Sequence, residues 1–470
     1  AFIGSGSTVV ANNVAVMATD HYDLLAIAVS LSGGSNGVGV TAVVTVAKNT
    51  VLAYIGDNTT VHSTALIVKA ISNRNIRNYA GSVAAGVSAG VGVTVMVAVI
   101  GGKLDQDSAN GISKGFKPDA FMKGIQVSVP NAARNYLTKL NLSADIAADD
   151  AKASDLHVGD KNGNYNGTDD SRSDDFDKQY NSGTNPGENF SEDVTNTQGS
   201  ELGMNKPAGE YRNVISAYIG SGSQITVSGS ALIEANEKLN IDIVTASAAV
   251  GGTAGVNVGV AVVVAYSNVL AEVRTGTILD CGDVTVRAVS GGDGSIDSQK
   301  ASDVLAAAGM DVSAAGSSIR VIAITVGIGA TAGVSPSVAV VNMASSAMAR
   351  MDGVNGTAKV IQVKAETVYP NVLAVTGAIG AGGSAGIAAS VAVVTFHSNT
   401  YAGIANSDLT AAELNVLTNV NNTAKAYAMS LAGGGVGVNG GVAVVTNRST
   451  TTTELNSGRY AGLAPSSQSS

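Results

Sequence analysis

Tryptophan is absent from this 470-residue chain, cysteine occurs once, and aromatic residues make up only 4% of it. Charge is scarce as well, at 13%, and there are only seven prolines and four histidines. Each shortage excludes something. The lone Cys281 cannot close an internal disulfide, and in LDCGDVTVRA it reads as a turn or wall residue with no reactive role. So little aromatic mass rules out a core built round large rings. It leaves close layers of Ala, Val, Gly and Ile. A net charge of −9 and a pI near 5.0 argue against a nucleic-acid partner, which would need a basic stripe. His21, His62, His157 and His397 share no spacing that suits a metal. Neither a nucleophile elbow nor a Walker loop is spelled, and the GxGxxG-like string at 380–386 follows from glycine density alone. Outside 103–212, 18 acidic and 15 basic residues are spread over 360 positions, too thin for the carboxylate cluster of a glycosidase. Asp303 and Asp311, in the irregular stretch 291–318, have no assignable partner. The chain is therefore expected not to be an enzyme and to need no organic cofactor.

What the chain does have is glycine, 57 residues of it, in a pattern that repeats. A glycine-speckled run that ends in Val/Ala recurs six times, as in SVAAGVSAGVGVTVMVAVIGG (82–102) and SAAVGGTAGVNVGVAVVVAYSN (247–268). Each run follows a turn-and-strand half such as AYIGDNTTVHSTALIVKA (53–70) or AYIGSGSQITVSGSALIEA (217–235). Apolar residues there alternate with a period of two, as at Val14, Val16 and Ala18, which is a strand signature. A self-similar unit at near-fixed spacing predicts a stacked, quasi-one-dimensional fold. The expected class is all-β: a parallel β-helix, or β-solenoid. At roughly 20–30 residues per coil, a unit of some fifty residues reads as two coils, giving about twelve coils and a rod of about 60 Å. Asn49, Asn268, Asn342 and Asn399 close successive Val runs and suggest a turn-forming asparagine ladder. Residues 78–102 carry no charge after Arg77 and hold a GxxxG match, Gly86 to Gly90. A membrane helix competes there with a dry solenoid wall, and the in-register strand pattern favours the wall, so no transmembrane segment is expected.

Residues 103–212 interrupt the array with 18 of the 36 acidic residues and four of the seven prolines. PNAARNYLTKLNL (130–142) and SADIAADDAKASDL (143–156) read as short helices, and 157–205 as extended chain. Within the excursion, Asp160, Asn162 and Asn164 alternate like the first ligands of a calcium loop. Tyr165 and Ser171 depart from that motif, so a Ca²⁺ site and a merely acidic loop both stay open. The expected organisation is solenoid repeats over 1–102, an acidic, partly helical insertion over 103–212, repeats again over 213–455, and a Ser-rich tail over 456–470. No leader segment is evident, and both ends read as cuts through something longer or as products of processing.

The AYIGxGxxV strand-turn at 217–227, followed by GGTAGVNVGVAVVVAYSN at 251–268, resembles the repeat region of large secreted bacterial exoproteins, as does AYIGDNTTV with AGVSAGVGVTVMVAV. These are the filamentous-haemagglutinin-like adhesins and the fusobacterial-type leukotoxins. The resemblance covers nearly everything but 103–212. It implies export, a location outside the cell or on the bacterial surface, and a right-handed parallel β-helix that projects as a rod. It brings no catalytic residues. The expected role is a structural and interaction segment of a surface filament or adhesin. Its expected partners are other copies of itself, stacked end to end, or receptors on host or neighbouring cells. A membrane-damaging exotoxin module is the alternative, and a carbohydrate-active β-helix a third reading.

Overall fold

The computed structural model describes residues 1–47, 49–101, 214–292 and 317–462. These residues form one 17-stranded sheet of parallel pairings, and there is no helix among them. The strands are β1 (Phe2–Ile3), β2 (Thr8–Val10), β3 (Asn13–Ala47), β4 (Thr50–Ile55), β5 (Thr60–Ser63), β6 (Ala65–Ile100), β7 (Val214–Ile219), β8 (Gln224–Gly251) and β9 (Ala254–Val273). They continue as β10 (Ile278–Ser290), β11 (Ser318–Gly329), β12 (Ala332–Asp352), β13 (Asn355–Gly382), β14 (Ala385–Ala405), β15 (Asp408–Gly433), β16 (Val436–Asn456) and β17 (Arg459–Gly462). The expectation of a parallel, solenoid-like all-β chain is met.

Register gives the length of one lap. Val16 lies over Val68, then Ile233, Val286, Val363 and Val416. Val44, Val97, Val262, Val340, Val393 and Val444 form a second such column. Stacked partners are 51 to 54 residues apart wherever no excursion intervenes. One repeat unit is therefore one coil, and the described residues form six stacked rungs. The expected coil count of about twelve is corrected on this point. It assumed that the two halves of a unit stack on each other, whereas they lie side by side in the same lap. At about 4.8 Å per rung the stack is about 29 Å tall.

Each rung has a lobe and a blade. Ile3, Val9, Val14, Val16, Val51, Ala53 and Ile55 point into the lobe core with their counterparts above and below. The chain then runs outward, turns, and returns. Leu24, Ala26 and Ala28 on the outward wall share a second core with Val43 and Ala47 on the return wall. That core is widest at its neck, where the rings of Tyr369 and Phe396 meet with centroids 5.5 Å apart. Side chains shrink along it from Ile76 through Ala80 and Ser82 to Gly86. Near the tip, Thr94 donates to Ser82 (2.9 Å) and Ser335 to Thr325 (2.8 Å). Beyond them the walls meet backbone to backbone. A Cβ added at Gly90, Gly255 or Gly333 would lie 2.0–2.3 Å from a carbonyl oxygen of the opposite wall. The glycine-speckled runs are this thin edge, where a methyl group does not fit.

One corner of the lobe turns left-handed in each of the six laps, at Gly6, Asn58, Gly222, Gly276, Gly353 and Asn406, and again at Ser457, where a partial seventh lap begins and ends in β17. Glycine and asparagine adopt that geometry with least strain. The expected ladder of Asn49, Asn268, Asn342 and Asn399 is not formed. Asn268 and Asn399 share a column with Ser346 between them, but Asn342 pairs with Val264 and Thr395. The last three lie inside strands, so they make no turn. Residues 78–100 belong to β6, which settles the choice at GxxxG for a strand. No helix among the described residues is long and apolar enough to cross a membrane.

Candidate functional site

The predicted calcium ligands Asp160, Asn162 and Asn164 lie outside the described residues, as do His157, Asp303, Asp311 and both predicted helices. Of the Ser-rich tail, 456–462 is described and ends in strand β17. His21, His62 and His397 fall on separate strands β3, β5 and β14. No group of three or more His, Cys, Asp or Glu that could hold a metal occurs among the described residues. Cys281 is buried in the lobe wall beside Leu279. Burial pushes its thiol up to about 12, so it stays protonated and inert at neutral pH.

What sequence reasoning missed is how the few charges are used. Most of the strongest ionic contacts link one rung to the next. On the lobe wall Lys69 meets Glu234 at 2.8 Å, both fully buried. Two rungs further on, Glu366 takes the Arg287 guanidinium through Nε (2.9 Å) and Nη2 (2.8 Å). Burial alone would raise the Glu366 carboxyl, but Arg287 and Lys364 overcome that and hold it below its ordinary value. Glu272 sits between Arg274 and Arg350 in the same way. Arg274 also lies over the Tyr218 ring, 3.9 Å from its centroid. That ring ends a stack of Phe2, Tyr54 and Tyr218, with centroids 5.2 and 4.8 Å apart.

A second polar group closes the neck between lobe and blade. Glu237 pairs with Arg74 and accepts from Ser267, from Ser290 at 3.0 Å and from Tyr369 Oη at 3.3 Å. Ser345 donates to Ser290 at 2.7 Å, and Thr367 meets Thr400 at 2.7 Å. Arg74, Glu237, Ser290 and Tyr369 expose no surface. A carboxylate so enclosed cannot reach a substrate. Its chemistry is that of a latch, which ties side chains of both walls together through the Arg74–Glu237 ion pair and fixes how lobe and blade meet. Arg74 and Glu237 are 163 residues apart in sequence, and no local motif announces the pair.

Two further features lie on the surface. The first and last rungs pair on one side only: β3 with β6, and β16 with β14. Among the described residues their outer edges, along strands of 35 and 21 residues, have no strand partner. The outer face of the outward blade wall is a sheet of largely aliphatic side chains, Leu31, Val83, Ile324 and Ile379 among them. Comparison with known proteins adds no identity: no family model, no curated protein and no solved structure matches this chain.

Proposed function

We propose that this chain is a structural and interaction segment of an extracellular bacterial surface filament or adhesin, with the right-handed coil that parallel crossovers overwhelmingly take. The observation that carries the reading is the stack itself. Six rungs lie in register on one another, and among the described residues each terminal rung has a long strand edge without a partner. Such an edge accepts a further rung, whether from the same polypeptide or from another copy. Two features support a scaffold: ion pairs that run from rung to rung, and a buried Glu237 cluster closed to substrates. The sequence resemblance to secreted exoprotein repeats supplies the surface location.

Negative-stain microscopy of the full chain tests this reading. Rods that lengthen with concentration in steps of about 29 Å are expected. Single compact particles at every concentration would refute end-joining. Dye release from liposomes by the unassembled chain would replace the scaffold reading with the exotoxin one.

A further inference from the structure

The outward blade wall runs through β3, β6, β8, β11, β13 and β15, and its outer face is not that of an ordinary solvated sheet. One column reads Leu31, Val83, Ala248, Val326, Ile379 and Leu431. Its neighbour reads Val29, Gly81, Ala246, Ile324, Gly377 and Met429, and the next Ile27, Tyr79, Val244, Ile322, Val375 and Tyr427. None of these eighteen residues is charged. The exposure is not confined to the terminal rungs: Val83 is 43% exposed, Ile324 45% and Ile379 40%. On the return wall the outward Val262 and Val264 are only 2% and 1% exposed, and the exposed outward valines there, Val44, Val442 and Val444, lie on the terminal rungs. A continuous aliphatic face of this extent marks an interaction surface.

We infer that this face pairs with the same face of a second copy, the two sheets lying flat against each other with their stacking axes antiparallel. Area and charge both select that occupant. The wall from the Leu25 column to the Gly33 column covers roughly 950 Å² on each copy, at 4.8 Å between rungs and about 6.6 Å between alternate residues. A stable interface takes about 800 Å² per partner. The flanking column reads Leu25, Arg77, Asp242, Arg320, Leu373 and Lys425. In the antiparallel arrangement the third rung faces the fourth. Asp242 then meets the second copy's Arg320, and Arg320 the second copy's Asp242. Within one chain these two already pair at 2.7 Å, so the dimer closes a four-charge ring. Arg77 and Lys425 meet Leu373 and Leu25 of the second copy, and no like charges oppose. A parallel arrangement reverses the strand direction, sets Asp242 and Arg320 against Val250 and Ile328 of the second copy, and loses this match. An anionic lipid surface is disfavoured by the net charge of −9.

The test is sedimentation of the full chain with Cys281→Ala as background. A dimer is expected, weakened at least about tenfold by Ile324→Lys. Ile379→Ser is the milder second variant, and the strand circular-dichroism band reports folding of both. A spin label at Ala246→Cys should lie about 10–15 Å from its mate across the antiparallel interface, and one at Leu31→Cys about 25 Å or more. The inference is overturned by a monomer at all concentrations, by an assembly that folded Ile379→Ser leaves intact, or by equal label distances at the two sites. Flotation of the wild-type chain with phosphatidylcholine vesicles, lost in Ile379→Ser, would also overturn it by showing a lipid occupant. End-to-end rods would survive these substitutions, so the two assemblies are told apart.

Discussion

Gly333→Ala should damage the blade far more than its single methyl group suggests. Gly333 stands in β12, where the two walls nearly touch. An ideal Cβ there lies 2.0 Å from the Ala381 carbonyl oxygen, 2.5 Å from that of Gly327 and 2.6 Å from the Ala381 carbonyl carbon. All three atoms are backbone, so no rotamer change relieves the clash. Ordinary contact begins near 3.4 Å, and the walls must part by more than an ångström to reach it. Overpacking of this kind costs about 1–3 kcal/mol. Parting the walls also loosens the buried Ser335–Thr325 hydrogen bond next along the strand, adding about 1 kcal/mol. The expected loss is about 2–4 kcal/mol. Gly377→Ala is the control. It adds the same methyl group on the outer face of the opposite, outward wall, with nothing nearer than Ile324 Cγ1 at 3.8 Å. A strand alanine there should gain up to about 1 kcal/mol over glycine. Guanidinium unfolding of the full-length variants, followed by circular dichroism in the strand band, measures both. Because stacked repeats depart from two-state behaviour, midpoints and unfolding rates are read together. If Gly333→Ala unfolds within about 0.5 kcal/mol of the parent, or no earlier than Gly377→Ala, the thin-edge account of the glycines is wrong.

Two more expectations follow from the buried polar groups. Burial opposes ionisation of Glu272, yet Arg350 and Arg274 hold its carboxyl below the ordinary 4.5. A depressed carboxyl stabilises the fold at pH values above its unfolded value, and that contribution is lost as pH falls through the folded one. Acid unfolding should therefore steepen below about pH 4.5, and Glu272→Gln should flatten that limb and lower stability at pH 7; identical pH profiles would refute the role given to the two arginines. Cys281 should resist a thiol-specific disulfide reagent at pH 8 while the chain is folded and react at once in guanidinium, because burial keeps its pKa near 12. Rapid labelling of the folded chain would contradict the buried lobe wall.

How much of this could be read from the sequence depended on the range of the interaction. The alternation at Val14, Val16 and Ala18 is local, and it identified strands with an inward face that the lobe core bears out. Coil length is not local. Nothing between Asn13 and Ala47 says whether the glycine run stacks on the strand before it or lies beside it, and only register decides. The glycines themselves were visible, but their reason lies in the opposite wall, dozens of residues away. The asparagines misled because a residue suited to turns was assumed to make one. The turns fell instead at Asn58 and Asn406, within the strand-turn half. The Arg74–Glu237 latch joins residues separated by a long excursion and lay beyond any motif. The aliphatic outer face was hidden in plain composition, since alternate residues on both sides of the wall are apolar.

The two breaks between described strand segments have a practical consequence. Described pairing stops at Ile100, above Ala265, and resumes at Val214, above Asn268. The second gap opens at Ser290, above Glu237, and closes by Ile319, above Ile241. Each exit and re-entry is therefore only three or four strand steps apart, about 10–13 Å, and the pairing beneath continues unbroken. Closing a long detour costs little more than closing a short one, because the entropy grows only with the logarithm of its length. Both gaps are thus ready-made ports for grafting: a guest domain whose termini sit that close together could be carried on the spine without disturbing the layers on either side.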